Sequence, residues 1–193
     1  MKDLAKRFPE NPLLLPKDIS PTAGLQVISL LNPGVFRFNE KTWLLIRVAE
    51  SIAQKEGVLY FPALNATGNT EIIEVPLNDP DLVATDARVI SYKGLDYLTT
   101  ISHLRLLSSS DGIHFSEDAG YPGLFGQGEL ERFGIEDCRV SQIGNDYYLT
   151  YTAVSDSGVG VGMRMTRDWQ HFTNAGMILP RQNKNCAVFE EQM

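Results

Sequence analysis

A short motif that recurs along the chain constrains the fold more than any other feature of the sequence. Residues 137–140 (Asp-Cys-Arg-Val) are preceded 51 residues earlier by residues 86–89 (Asp-Ala-Arg-Val), and 54 residues before those by residues 32–35 (Asn-Pro-Gly-Val). A fourth copy, Asn-Cys-Ala-Val, follows 48 residues later at 185–188. Spacings of roughly 40 to 50 residues are typical of propeller blades. The repeat therefore predicts an array of similar β-units.

The segments between the repeats favour strands. Runs of four to eight apolar, aromatic or β-branched residues, such as 43–48 and 147–152, alternate with turn signals such as 39–41 and 93–94. No segment keeps a helical period over a dozen residues. We therefore predict an all-β protein in which each repeat forms a blade of about four antiparallel strands.

Three finer predictions concern single segments. Residues 32–34 (Asn-Pro-Gly) are expected to turn the chain between two strands, 25–30 and 35–38. Residues 57–61 and 72–75 are expected to be outer strands. The glycine-rich stretch 119–128 is expected to be a flexible loop of the kind that often rims a binding site.

Bulk properties indicate an ordinary globular chain. Of its 193 residues, 43% are hydrophobic and 21% charged. The net charge of −7, without any Lys/Arg-rich run, makes nucleic acid a poor partner. There is no run of 18 apolar residues and no apolar stretch of signal-peptide length near the N-terminus, so we expect no membrane partner and a cytoplasmic protein.

The cysteines and histidines do not indicate a metal site. Cys138 and Cys186 are too few for a four-cysteine zinc site or a disulfide framework, and the three histidines are scattered without the spacing of metal ligands. We expect two small buried thiols and no metal.

Charged residues stand at two informative places. Glu136, Asp137 and Arg139 lie within four residues, just ahead of a strand. They form either a solvated turn with a local ion pair or part of a functional site. Arg47 interrupts an otherwise apolar strand, so its charge needs a partner, which is either a structural ion pair or a ligand.

Four ordered motifs together resemble glycoside hydrolase family 130. They are residues 32–34, residues 134–139 (Gly-Ile-Glu-Asp-Cys-Arg), residues 148–153 and residues 183–189. This family contains β-mannoside phosphorylases and β-mannosidases built on a five-bladed β-propeller. The resemblance covers about residues 11–190, and it implies that residues 1–193 form a single, incomplete propeller domain, with about three blades and the start of a fourth.

The resemblance also implies a site and a reaction. Asp137 would be the acid, delivering its proton through a hydroxyl of the sugar. An inverting reaction needs in addition either a carboxylate that activates water or a phosphate that attacks directly, which separates hydrolysis from phosphorolysis. Segment 152–162 resembles the mannosidase-like members more closely. The residues that would contact substrate are Asn32, Arg47, Arg88, Glu136, Arg139, Lys184 and Glu190.

The implied partners follow from this chemistry. The substrate would be an oligosaccharide with a β-linked mannose, with no cofactor except inorganic phosphate as co-substrate of a phosphorylase. Unpaired blade edges would favour a homo-oligomer. Two departures from the family pattern, Cys138 in place of proline and Asn185 in place of aspartate, keep an alternative open: a catalytically inactive, truncated propeller that binds carbohydrate or a protein.

Overall fold

The computed structural model describes residues 8–65, 68–84 and 86–190. These residues form strands joined by turns, with two short 3-10 turns at Pro16–Asp18 and Glu129–Glu131. The strands of this described part are, in chain order, β1 (Gln26–Phe38), β2 (Lys41–Ser51), β3 (Val58–Leu64), β4 (Thr70–Pro76), β5 (Leu82–Val83), β6 (Val89–Tyr92), β7 (Leu95–Leu98), β8 (Ile101–Ser109), β9 (Ser116–Glu117), β10 (Ile135–Ile143), β11 (Asp146–Ser155), β12 (Gly158–Thr166) and β13 (Thr173–Leu179).

Two four-stranded antiparallel sheets hold most of the buried residues. Their strand orders are β1-β2-β8-β9 and β10-β11-β12-β13. The predicted hairpin turn between the first two strands is present, and Asn39 and Glu40 both adopt positive φ (48° and 62°), as the two central residues of a type I′ turn do. The all-β prediction is therefore confirmed. Within the described ranges no helix has the length and hydropathy needed to cross a bilayer.

The segment between β2 and β8 is an insertion into the first sheet. Strand β2 pairs directly with β8, with Glu50 opposite Ile101. The intervening residues 52–100 form two small sheets of their own, β3-β4 and β5-β6-β7, around Phe61, Val75 and Ile90. Residues 57–61 and 72–75 do lie in strands, as predicted, but these strands pair with each other and are not outer strands of the first sheet.

The prediction that a blade begins at residue 86 is wrong, because this copy of the motif leads into β6 of the insertion. The described residues hold two four-stranded sheets and two smaller ones, and the expected count of about three blades and the start of a fourth stays a prediction. An alternating apolar pattern shows that one face of a strand is buried, but it does not show which strand is its neighbour.

The two large sheets repeat each other at the turn before their last strand. In each turn a hydroxyl residue, an aspartate and a histidine follow the same spacing, and the aspartate Oδ2 lies 2.7 Å from the histidine Nδ1. The two sets lie 57 residues apart: Ser109, Asp111 and His114 in the first sheet, and Thr166, Asp168 and His171 in the second.

The inner strands repeat each other at a β-bulge. The register of β1 shifts between Leu31 and Gly34, so the predicted turn at 32–34 lies inside one continuous strand. The register of β10 shifts in the same way after Glu136. Asn32 (φ 39°) and Asp137 (φ 50°) share the left-handed backbone of these bulges, and Asn185 has it too (φ 59°). The motif copies at 32, 137 and 185 therefore share a local backbone conformation.

Aromatic side chains join the two sheets. Phe36 of β1 stacks on Trp169 at a ring-centroid distance of 3.8 Å, and Trp43 and Leu149 are buried beside them. Cys138 belongs to this core and is fully buried, so burial raises the pKa of its thiol. The buried-thiol prediction is thus confirmed for Cys138, whereas Cys186 is only half-buried.

Candidate functional site

Arg47 of β2 connects the two large sheets at the sequence motif. Its Nη2 donates to Glu136 Oε1 at 2.7 Å, and its Nη1 donates to Asp137 Oδ1 at 3.1 Å. Each of the three side chains keeps about a fifth of its surface exposed (18%, 22% and 20%). The predicted need of Arg47 for a partner is confirmed, and its partners are the two carboxylates of the motif.

The bulge in β10 explains how two consecutive residues reach one guanidinium. Neighbouring side chains of a regular strand point to opposite faces of the sheet. A bulge with left-handed backbone at Asp137 changes this direction, so Glu136 and Asp137 both face Arg47.

Two glycines allow the inner strands to approach each other. A Cβ atom on Gly134, where φ is +103°, would lie 2.3 Å from the carbonyl oxygen of Ser102. A Cβ atom on Gly34 would lie 3.0 Å from the carbonyl oxygen of Cys138. Side chains at these positions would push β10 away from β8 and β1, and would thereby separate Arg47 from its carboxylates.

Ser102 is a member of the cluster that sequence reasoning missed. It is 3% exposed, and its Oγ accepts a hydrogen bond from Arg47 Nε at 3.0 Å. A lone serine belongs to no motif. The sequence signal that could have pointed to Ser102 is the polar pair Ser102-His103 within the mostly apolar strand β8.

The environment of Glu136 favours its protonated form. Burial raises the pKa of Glu136, Arg47 lowers it, and the adjacent Asp137 raises it again, so that the pKa lies above its ordinary value. A hydrogen bond with Ser102 and the charge of Lys184 each lower it slightly. Lys184 therefore lies near enough to act on this carboxyl group.

The other predicted site residues are less closely tied to this cluster. Asn32 is exposed on the bulge of β1, beside the contact between Gly34 and Cys138. Arg139 donates from Nη1 to the carbonyl oxygen of Cys138 at 3.3 Å. In the described part of the chain no ion pair joins Arg139 to a carboxylate, so the alternative of a local ion pair within the motif is not what forms, and Arg47 pairs with the two carboxylates.

Arg88 and Glu190 lie apart from the cluster's contacts. The Arg88 side chain is 87% exposed in the insertion, where its Nε lies 4.0 Å from Asp86. Glu190 is exposed near the end of the described residues. Across the described ranges, no hydrogen bond or ion pair links either residue to Arg47, Glu136 or Asp137.

The glycine-rich stretch 119–128 is hydrogen-bonded to both large sheets, and its role as a flexible loop that rims a binding site stays a prediction. Leu124 exchanges both backbone hydrogen bonds with Leu104 of β8. Arg164 Nη2 donates to the carbonyl oxygen of Phe125 at 2.8 Å and to Glu131 Oε2 at 2.7 Å, in a buried ion pair. Because that ion pair is desolvated, removing either partner would leave a buried charge unpaired.

Comparison with known proteins identifies a matching family and several relatives. Residues 74–192 match the model of glycoside hydrolase family 130, which is described as beta-1,4-mannooligosaccharide phosphorylase. The Beta-1,2-mannobiose phosphorylase of Listeria innocua serovar 6a is 36% identical over 194 residues, which is 97% of this chain and 54% of that protein. The Beta-1,2-mannobiose phosphorylase of Thermoanaerobacter sp. is 29% identical over 96 residues, or 48% of this chain and 32% of that protein.

Solved structures give the same relationship. The Listeria innocua Beta-1,2-mannobiose phosphorylase in complex with beta-1,2-mannobiose superposes with a TM-score of 0.83 over 96% of this chain and 54% of its own, at 36% identity. A putative glycoside hydrolase from Parabacteroides distasonis shares the fold, with a TM-score of 0.57 and 20% identity over 90% of this chain and 41% of its own.

Two consequences follow from these matches. This chain spans about half the length of the Listeria relative. Both curated relatives are named phosphorylases, and they give no support to the closer likeness of segment 152–162 to mannosidase-like members. With the family model matched over more than half of its residues, the chain belongs to glycoside hydrolase family 130.

Proposed function

We propose that this chain carries the acid side of a β-mannoside phosphorylase active site, with Asp137 as the proton donor. The observation that carries the proposal is the Arg47–Glu136–Asp137 cluster, in a chain 36% identical to a β-1,2-mannobiose phosphorylase. In the proposed reaction an oxygen of inorganic phosphate forms a bond to C1 of the mannose as the bond from C1 to the glycosidic oxygen breaks. The products are mannose 1-phosphate with inverted configuration and the released sugar.

The proton balance assigns a role to Asp137. The leaving glycosidic oxygen takes a proton from a sugar hydroxyl, and that hydroxyl takes a proton from the Asp137 carboxyl group. Donation leaves Asp137 as a carboxylate, and Arg47 Nη1 is already 3.1 Å from Oδ1. A charge-assisted hydrogen bond at that distance stabilises the newly formed anion and so favours proton transfer.

The remaining predicted residues fall into two groups: those close to the Arg47–Glu136–Asp137 cluster and those apart from it. Lys184 acts on Glu136, and Arg139 lies on the same strand as both carboxylates, so these two cations and the Asn32 amide suit sugar hydroxyls or phosphate. In the described ranges no hydrogen bond or ion pair joins Arg88 or Glu190 to the cluster, and their assignment rests on the family resemblance alone.

The test is product formation from β-1,2-mannobiose with and without inorganic phosphate. We expect mannose 1-phosphate only when phosphate is present, and a loss of rate by a factor of about 10²–10⁴ in the Asp137→Asn variant. Asp146→Asn is the matched control, because Asp146 lies at the other end of the same hairpin in an exposed pair with Arg167.

Two outcomes would contradict the proposal. Release of mannose without phosphate would indicate hydrolysis. Absence of turnover, together with sugar binding that calorimetry finds unchanged in Asp137→Asn, would favour the non-catalytic carbohydrate-binding alternative.

A further inference from the structure

We propose that Ser102 is a positioning residue of this site, whose hydroxyl fixes the plane of the Arg47 guanidinium so that its two Nη atoms are divided between Glu136 and Asp137. The inference rests on the proposed function for its catalytic meaning. Its structural content is independent of turnover.

The first argument is the geometry of the guanidinium. An arginine side chain offers its donors in one rigid plane. Nε donates to Ser102 Oγ at 3.0 Å, Nη2 to Glu136 at 2.7 Å and Nη1 to Asp137 at 3.1 Å. Three acceptors around one plane determine its orientation, and Ser102 is the acceptor that carries no charge.

The second argument is the direction of the hydroxyl proton. Arg47 Nε has only a donor to offer, so the Ser102 oxygen accepts there and its own proton is free for another acceptor. The Ser102 side chain lowers the pKa of Glu136, as a hydroxyl that donates toward the carboxylate does. One hydroxyl therefore connects the arginine to the first of its two carboxylates.

The third argument is the rigidity of Ser102 itself. It lies on β8 opposite Ala49 of β2, and its backbone forms a bridge with Gly134, just ahead of β10. Only 3% of its surface is exposed. The position of Oγ is thus set by the backbones of both large sheets, as a positioning role requires.

Removal of the hydroxyl has a specific expected consequence. Arg47 Nε would lose its acceptor and Glu136 would lose a donor. The charged groups that act on Glu136, namely Arg47 of β2, Asp137 of β10 and Lys184 from the segment after β13, would all remain. A change in the titration of Glu136 would therefore report the missing hydroxyl and the orientation it gives to Arg47.

The experiment follows the side-chain carboxyl carbon of Glu136 by NMR as the pH is varied, in the 193-residue chain. In Ser102→Ala the titration midpoint of Glu136 is expected to rise by about half a unit to one unit, since one hydrogen bond to the charged form is lost. Ser102→Cys, which keeps the volume but has only a weak donor, should behave in the same way. Ser102→Thr keeps the hydroxyl and should restore the wild-type midpoint.

Ser108→Ala is the matched control, because Ser108 lies on the same strand and is 7% exposed. Unchanged midpoints in both Ser102→Ala and Ser102→Cys would overturn the inference, as would a shift of equal size in Ser108→Ala.

Kinetics separate this inference from the proposed function. If the chain turns over β-1,2-mannobiose, Ser102→Ala should lower kcat about tenfold with little change in KM, and Ser102→Thr should restore it. A shifted midpoint without any turnover in the wild type would sustain the role of Ser102 and contradict the proposed function. Turnover that Ser102→Ala leaves unchanged would sustain the proposed function and contradict the role of Ser102.

Discussion

Strands β2 and β8 are mostly apolar, but each contains polar side chains. Strands β2 and β8 place Arg47 and Ser102 on one face, and Glu50 and His103 on the other. His103 Nε2 lies 2.9 Å from Glu50 Oε2, and both residues are fully buried. The buried Glu50 carboxylate is tolerated in the core because His103 and the backbone N–H of Thr22 are its partners.

Glu50 gives a prediction for the pH dependence of stability. Burial alone would raise the pKa of Glu50, but hydrogen bonds from His103 and Thr22 outweigh it and lower the pKa from 4.5 to about 2. A carboxyl group with a lowered pKa stabilises the folded state above its unfolded value. That stabilisation is lost as the pH falls from about 4.5 through about 2.

The Glu50→Gln variant should therefore be destabilised by about 3 kcal/mol at pH 7, and by progressively less below pH 4.5. Urea denaturation at several pH values measures the difference. Glu56→Gln, at an exposed position, is the control and should leave stability unchanged. A Glu50→Gln difference that stays constant between pH 7 and pH 3 would contradict the lowered pKa.

At the level of strands, the close approach of β8 and β10 sets the geometry of the site. Gly134 permits that approach because any side chain there would meet the backbone of Ser102, which cannot move without disturbing its pairing with β2. The bulge that follows then turns Asp137 toward Arg47. The close approach at Gly134 and the bulge at Asp137 are both features of the backbone, and neither depends on the chemistry of the carboxylates.

Gly134→Ala should therefore lower the free energy of unfolding by more than about 3 kcal/mol, through both the clash and the positive φ. Gly144→Ala is the matched control in the turn after β10. It shares a positive φ of +60° but has no atom within 4 Å of the new Cβ, so only the backbone strain of about 1 kcal/mol applies. Equal losses in the two variants, measured by urea denaturation, would show that the close approach contributes nothing.

At the level of the whole molecule, the described residues form two similar large sheets and one large insertion. Among the described residues, the two hydrophobic cores of the large sheets include none from 52–100. The insertion has its own core and meets the rest through contacts such as Arg132 over the ring of Tyr97, at 5.7 Å. A cation–π contact of this kind is worth about 1 kcal/mol.

Replacing residues 52–99 by Asn-Gly should accordingly leave both large sheets intact. The two-residue turn would join β2 to β8 directly, in the register that they already have. We expect one cooperative thermal transition and an unchanged titration of Glu136, measured by calorimetry and by NMR. A variant in which an Asn-Gly pair replaces only Lys93-Gly94 controls for the turn sequence. Loss of cooperative unfolding in the shortened chain alone would show that the insertion supports the sheets.

Sequence reasoning predicted the strands, the hairpin turn at Asn39 and Glu40, and the need of Arg47 for a partner, because each of these is local. It assigned Asp86 to a blade because the motif spacing looked regular, and only the pairing of β2 with β8 shows that this copy lies in an insertion. The contact of Ser102 with Arg47 joins residues 55 apart, and no local pattern predicts it.

The left-handed backbone at Asn32, Asp137 and Asn185 limits which side chains the inner strands can present. Among residues with side chains, asparagine and aspartate adopt this conformation most readily, and glycine adopts it at no steric cost. Each position can thus offer an amide, a short acid or bare backbone. A glutamate at 137 would bring a longer acid and also strain the bulge. The backbone conformation of the inner strand therefore limits the length of the acidic side chain at this position.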